Sequence, residues 1–176
     1  MADEQLDAAA ANGQGAQPQQ AQMGLQHLFL KDCSFEAPGA LGLDGAEGQP
    51  DINLNLSQRV NQLGEDRYEI VLSITVTAKQ GDKTVFIAEV HQSGAFLLQG
   101  FDEQQLSYVA NVACPNVLYP YARAHISNLV AAGGFVMPPL QPINFDGIYA
   151  QRLQQNQQNQ ADGAGADGGA DSSGNA

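Results

Sequence analysis

No tryptophan occurs in this chain, cysteine occurs twice, and seven basic residues stand against nineteen acidic ones. Two cysteines, Cys33 and Cys114, cannot build the disulfide framework of a small secreted domain. A net charge of −12 repels a phosphate backbone, which argues against nucleic acid as a partner and makes a basic protein surface the natural complement. No apolar run approaches the ~20 residues that cross a bilayer. The start, Met1-Ala2-Asp3-Glu4-Gln5-Leu6-Asp7, has neither the basic first region nor the apolar core of a signal peptide. The expected setting is the reducing cytoplasm, with no direct membrane insertion.

The signatures of catalysis are equally scarce. There is no phosphate-binding loop, no dinucleotide glycine fingerprint following a strand, no nucleophile elbow and no HExxH. His27, His91 and His125 are widely spaced. Cys114 and His125 are eleven residues apart, about three helical turns, so a thiol enzyme built on Cys114 stands as an alternative without a built site. The reading is of a binding protein that is not an enzyme and carries no metal and no cofactor.

What is present is a patterned middle between two polar ends. Residues 1–24 are rich in Ala, Gln and Gly, and 156–176 in Gln, Asn, Gly, Ala and Asp; neither buries enough apolar surface to offset ordering entropy, so both are expected to be disordered tails. The ends carry Asp3, Glu4 and Asp7, and Asp162, Asp167 and Asp171, with no base. The middle holds the other 13 acids and all 7 bases, so about half of the excess negative charge belongs to the folded part, residues 25–155.

Within that part, alternation of period two predicts a strand from Leu25 to Glu36, a second from Asp51 to Val60, and a third from Arg67 to Ala78 with Tyr68, Ile70, Leu72, Ile74 and Val76 on one face. A fourth, after the turn Gln80-Gly81-Asp82, runs from Thr84 to Gln92 and resumes from Ala95 to Gln99 beyond a kink at Gly94. About fourteen residues with four glycines separate the first two strands, long for a compact domain. The period then becomes helical: Asp102 to Ala113, restarted after Pro115 and Pro120 as far as Ala132, and finally Asn144 to about Gln155, where Phe145, Ile148, Tyr149 and Leu153 form one stripe. The fold class is α+β: a four-stranded antiparallel sheet with a long crossover loop, a long proline-interrupted helix and a C-terminal helix. On the first strand Asp32 and Glu36 share a face about 13 Å apart, too far for an acid/base pair on one bond and suited to a broad acidic surface. Glu89 is read on a face with Val85 and Ile87.

Three segments carry a resemblance. Lys31-Asp32-Cys33-Ser34-Phe35-Glu36-Ala37-Pro38 resembles the KDxSFEAP signature of the bacterial export chaperone family SecB. Cys114-Pro115-Asn116-Val117-Leu118-Tyr119-Pro120-Tyr121-Ala122-Arg123 is similar to its CPNxLFPYAR motif, and Pro142-Ile143-Asn144-Phe145-Asp146 to its PVNFD motif. Order and spacing agree, and the resemblance spans about 25–155. It implies an ATP-independent chaperone that holds unfolded precursor proteins, delivers them to the motor SecA, and assembles as a homotetramer, a dimer of dimers. It also implies residue roles. Asp32, Glu36, Ile87 and Glu89 fall on the family's docking surface for SecA's basic, zinc-containing C-terminal segment. Leu41, Leu43, Leu54, Leu56, Phe145, Ile148 and Tyr149 fall on the client-binding groove. Ala88, Val90 and Gln92 fall where the family's strand affects subunit association. Family members often carry a Trp before a Pro in the crossover loop; here Gly48-Gln49-Pro50 stands there. A SecB-like chaperone dedicated to another client, such as an antitoxin, would share the groove without needing the acidic surface.

Overall fold

The computed structural model describes residues 20–40 and 50–164. Strands β1 (Gln22–Glu36), β2 (Asp51–Gly64), β3 (Arg67–Gln80) and β4 (Lys83–Gln99) form one antiparallel sheet in the order β1-β4-β3-β2. Tight turns join β2 to β3 and β3 to β4, the second with Gly81 at φ 57°, where a side chain would be strained. β1 and β2 are consecutive in the chain yet occupy opposite edges. Their link must therefore cross three strand spacings, about 14 Å, which is the physical reason for its length. Leu41 and Leu43 lie in this link, outside the described residues.

One face of the sheet is the core face. Ile70, Leu72, Ile74, Val76 and Ala78 of β3 and Phe86, Ala88, Val90, Phe96 and Leu98 of β4 are buried together with Leu118, Ala122, Ile126 and Val130 of a helix that lies across both strands. The helical region starts with α1 (Glu103–Tyr108), where the Asp102 carboxylate accepts from Gln105 N at 2.8 Å in a capping box. A π-helical turn, Val109–Ala113, leads without a break into α2 (Cys114–Ala132). After an extended connector comes α3 (Phe145–Ala164), whose first turn is capped by Asn144 Oδ1 accepting from Gly147 N at 2.9 Å.

Four expectations are corrected. The prolines do not interrupt the helix: Pro115 stands in the first turn of α2, where its missing N–H matters least, and Pro120 sits inside the helix on its exposed side. β1 does not keep one alternation, because register shifts between Leu25 and His27 and between Leu30 and Asp32 re-aim its side chains. Met23, Leu28 and Phe35 accordingly pack on the core, whereas Leu25 and Leu30 are exposed. β4 runs straight through Gly94, where a Cβ would come 2.6 Å from the Phe96 ring and 2.9 Å from Leu118; the glycine admits a close neighbour rather than a kink. A bulge at Val85, opposite Ala78 and Lys79, buries Val85 with Phe86 and removes it from the row of Ile87 and Glu89. The boundaries also shift: β1 begins at Gln22, inside the expected N-terminal tail, and α3 continues to Ala164, beyond the expected limit at 155.

Candidate functional site: an acidic sheet face and an apolar groove

The second face of the sheet carries no packed helix among the described residues. Register fixes what lies there: Glu36 pairs with Ile87, Ser34 with Glu89, and Asp32 with His91. The four residues assigned to docking, Asp32, Glu36, Ile87 and Glu89, thus fall on one face of two neighbouring strands. His91 joins them. Its Nε2 lies 2.6 Å from Glu89 Oε1, the two residues standing two apart on β4 and so on the same side. Sequence reasoning missed His91, although its spacing from Glu89 carried the signal.

Further along the same face Glu69 gathers all four strands. Lys31 Nζ of β1 donates to Oε1 at 2.7 Å, Ser93 Oγ of β4 donates to the same oxygen at 2.8 Å, and Asn61 Nδ2 of β2 donates to Oε2 at 3.0 Å. The hydrogen bond from Lys31 holds the Glu69 carboxyl below its ordinary range against desolvation, which pulls the other way, while Asn61 and Ser93 help.

On the helix side, Leu56, Phe145, Ile148 and Tyr149, four of the seven residues assigned to the client groove, line one cleft of about 80 Å³ between β2, the π-helical turn and α3. Ser57, Gln58, Asn111 and Arg152 complete its wall. Phe145 is 3% exposed and stands edge-on to Tyr119 at 6.1 Å, so it forms the floor more than the rim. Leu54 lies outside this cleft, two residues up the inward side of β2 and 40% exposed. Tyr149 is shared with a wider, open pocket of about 600 Å³ whose apolar walls are Phe101, Tyr108, Val109 and Leu153. The α1 side of this region was not foreseen.

A polar frame holds the cleft. The π-helical turn frees a carbonyl from the regular ladder, and Gln58 Nε2 donates to Ala110 O at 2.8 Å. Asn111 Nδ2 donates to Ser107 O at 2.8 Å, Tyr149 Oη to Ser107 Oγ at 2.9 Å, and Tyr108 Oη to Asp146 Oδ1 at 2.6 Å. That last bond raises the Tyr108 pKa above its ordinary value.

Ala88, Val90 and Gln92 are on the inward face, 0%, 0% and 1% exposed, covered within the protomer itself. Gln92 Nε2 donates to Phe29 O at 2.9 Å, while no donor among the described residues reaches its Oε1. Cys114 is fully buried, and burial pushes its thiol up to about 12. Burial disfavours the thiolate, the reactive form of a cysteine. No group of three His, Cys, Asp or Glu suited to a metal occurs among the described residues, and no described helix is long and apolar enough to cross a membrane.

Comparison with known proteins agrees with this architecture. Residues 16–156 match the family described as preprotein translocase subunit SecB. The protein-export protein SecB of Stenotrophomonas maltophilia is 46% identical over 136 residues, covering 76% of this chain and 78% of the relative. That of Nitrosococcus oceani is 46% identical over 143 residues, covering 80% and 87%. Among solved structures, a SecB-like chaperone of Mycobacterium tuberculosis, in complex with a peptide from an antitoxin, aligns with a TM-score of 0.56. It is 15% identical and covers 69% of this chain and 91% of that one, a likeness of fold.

Proposed function

We infer, because this chain belongs to the SecB family of protein-export chaperones, that it works through two separate faces: a groove that holds non-native precursor proteins in a translocation-competent state, and an acidic face that docks the motor SecA. It does so as a cytoplasmic homotetramer, a dimer of dimers, without ATP, cofactor or catalysis of its own. The observation that carries this reading is the separation itself. Leu56, Phe145, Ile148 and Tyr149 converge on a cleft on the helix side, and Asp32, Glu36, Ile87 and Glu89 align on the opposite side of the sheet.

The groove works by hydrophobic capture. An unfolded client exposes apolar side chains, and each one moved out of water contributes about 25 cal/mol per Å². A single shallow cleft binds weakly, whereas several on one oligomer bind a long chain with high avidity. Leu54, further along β2, extends the lining; Leu41 and Leu43, which lie outside the described residues, are assigned to the same groove by the family resemblance. The acidic face recognises the motor's basic, zinc-containing C-terminal segment by charge complementarity around Ile87, which speeds encounter and fixes register more than it adds affinity. Ala88, Val90 and Gln92 influence assembly by setting how α2 sits on the sheet, since their side chains are already covered.

The test is aggregation of a denatured exported precursor on dilution, with oligomeric state followed by light scattering. Suppression by the intact oligomer is expected. An intact oligomer that leaves aggregation unchanged overturns the chaperone mechanism. With Asp32→Lys and Glu36→Lys, loss of SecA binding with retained suppression is expected; unchanged SecA binding overturns the docking assignment.

A further inference from the structure

We propose that Glu69 is a positioning residue for the docking surface: by holding the Lys31 ammonium further along the acidic face, it keeps that cation from neutralising Asp32 and Glu89; this rests on the assignment of Asp32, Glu36, Ile87 and Glu89 to docking. In a regular strand Lys31 and Asp32 would point to opposite faces. β1 is bulged here. Leu30 pairs with Gln92 and Asp32 with His91, so Lys31 is the extra residue. The hydrogen bond from Lys31 Nζ to Glu69 Oε1 shows which way it points: onto the acidic face, beside Asp32. A cation therefore adjoins the first acid of a surface whose partner is itself basic. Left free, it would pair with Asp32 or Glu89 and have to be displaced at every docking event.

Glu69 decides where Lys31 goes. Its Oε2 accepts from Asn61 of β2 at 3.0 Å and its Oε1 from Ser93 of β4 at 2.8 Å, so strands on both sides fix the carboxylate. The long, flexible lysine comes to this anchor at 2.7 Å. Glu69 pairs with Ala95, four residues beyond His91 on β4 and so about 13 Å along the strand. The ammonium is thus drawn away from Glu89 and Glu36. The ion pairs among the described residues are Lys31–Glu69 and His91–Glu89, and neither engages Asp32 or Glu36.

The experiment titrates SecA against full-length wild type, Glu69→Gln, Lys31→Gln and the double variant at low and high salt. Suppression of precursor aggregation is the control for fold and assembly. Glu69→Gln is expected to weaken docking about two- to fivefold at low salt and less at high salt, as suits exposed charges. Lys31→Gln changes docking by less than about twofold on its own, because its charge is already engaged, and restores docking in Glu69→Gln, because the released lysine is what interferes. This cycle separates the inference from simple loss of a negative charge. Equal tightening by Lys31→Gln in both backgrounds, or wild-type docking by Glu69→Gln, overturns it. If Glu69→Gln does not fold, Glu69→Asp takes its place. That variant keeps the net charge but draws the carboxylate back by one methylene, so docking still falls and Lys31→Gln still restores it; wild-type docking by Glu69→Asp overturns the inference. Asp32→Lys with Glu36→Lys is titrated alongside. If it binds SecA as wild type does, the docking assignment and the inference fall together. If it loses SecA while the Glu69 series stays flat, the inference alone falls.

Discussion

Two side chains show how much a single position controls here. Glu69 is the carboxylate to which Lys31, Asn61 and Ser93 all donate, and its side chain is 13% exposed. Removing its charge by Glu69→Gln leaves those donors with a weaker acceptor, so a loss of about 1–3 kcal/mol is expected at neutral pH. The pH dependence has a definite sign. The folded-state pKa lies below the reference value of 4.5, so the ionised network is fully stabilising above about 4.5 and fades as acid takes the pH through the lower folded-state value. Denaturation midpoints of wild type and Glu69→Gln therefore converge on acidification below that value; a gap that stays constant with pH denies the network its role. Gly133 makes the complementary point about packing. Its φ is −72°, so its backbone needs no glycine, but a Cβ there would come 2.2 Å from the Phe35 ring. That ring stacks on Phe86 at a centroid distance of 5.8 Å and meets Phe135 at a tilt at 6.2 Å. Gly133→Ala is expected to cost about 1–3 kcal/mol. Adding Phe35→Leu recovers part of the loss, and strict additivity of the two in urea denaturation would show that they do not touch.

Between residue and molecule lie the elements, and here the legibility of the sequence divides cleanly. β3 was read correctly because its inward row, Ile70 to Ala78, is apolar at every second position and its partner strands lie on both sides. β1 was read as a strand but its faces were not, because its bulges insert residues without any change in composition, and Leu25 and Leu30 are exposed where Met23, Leu28 and Phe35 pack on the core. The helix through Pro115 and Pro120 was misread because proline propensity is local, whereas the burial of Leu118, Ala122 and Ile126 under α2 is tertiary and outweighs it. That Asp32, Glu36, Ile87 and Glu89 share one face was legible from their spacing together with the family motif. The cleft was legible only on its α3 and β2 sides, because Asn111 enters through the π-helical turn, and nothing in local composition announces a π register. That turn is itself testable. Gln58→Leu removes the donor to Ala110 O, so about 1–3 kcal/mol of stability should be lost, with faster amide exchange across Val109–Ala113. Unchanged exchange there would mean that the turn needs no bracket from β2.

At the scale of the whole molecule, the sheet acts as a partition. Its inward row is consumed by α2, the groove lies where β2 and α3 extend beyond that cover, and the acids lie behind. Two surfaces divided by a packed core should be separable by mutation, because distant sites without shared partners contribute additively. Ile148→Asp places a charge in the cleft and removes an apolar contact worth about 1.5–3 kcal/mol when fully buried, so client affinity should fall at least about tenfold. SecA docking should then stay within about twofold, since Ile148 touches nothing on the acidic face. Asp32→Lys with Glu36→Lys should do the reverse, weakening docking by about tenfold at low salt and less at high salt, as expected for exposed charges. The combined variant should show both losses and no third. Titrating the four proteins against a denatured precursor and against the motor's basic segment settles it: a groove substitution that weakens docking as much as it weakens capture would mean that the partition transmits, and that the faces are one coupled site.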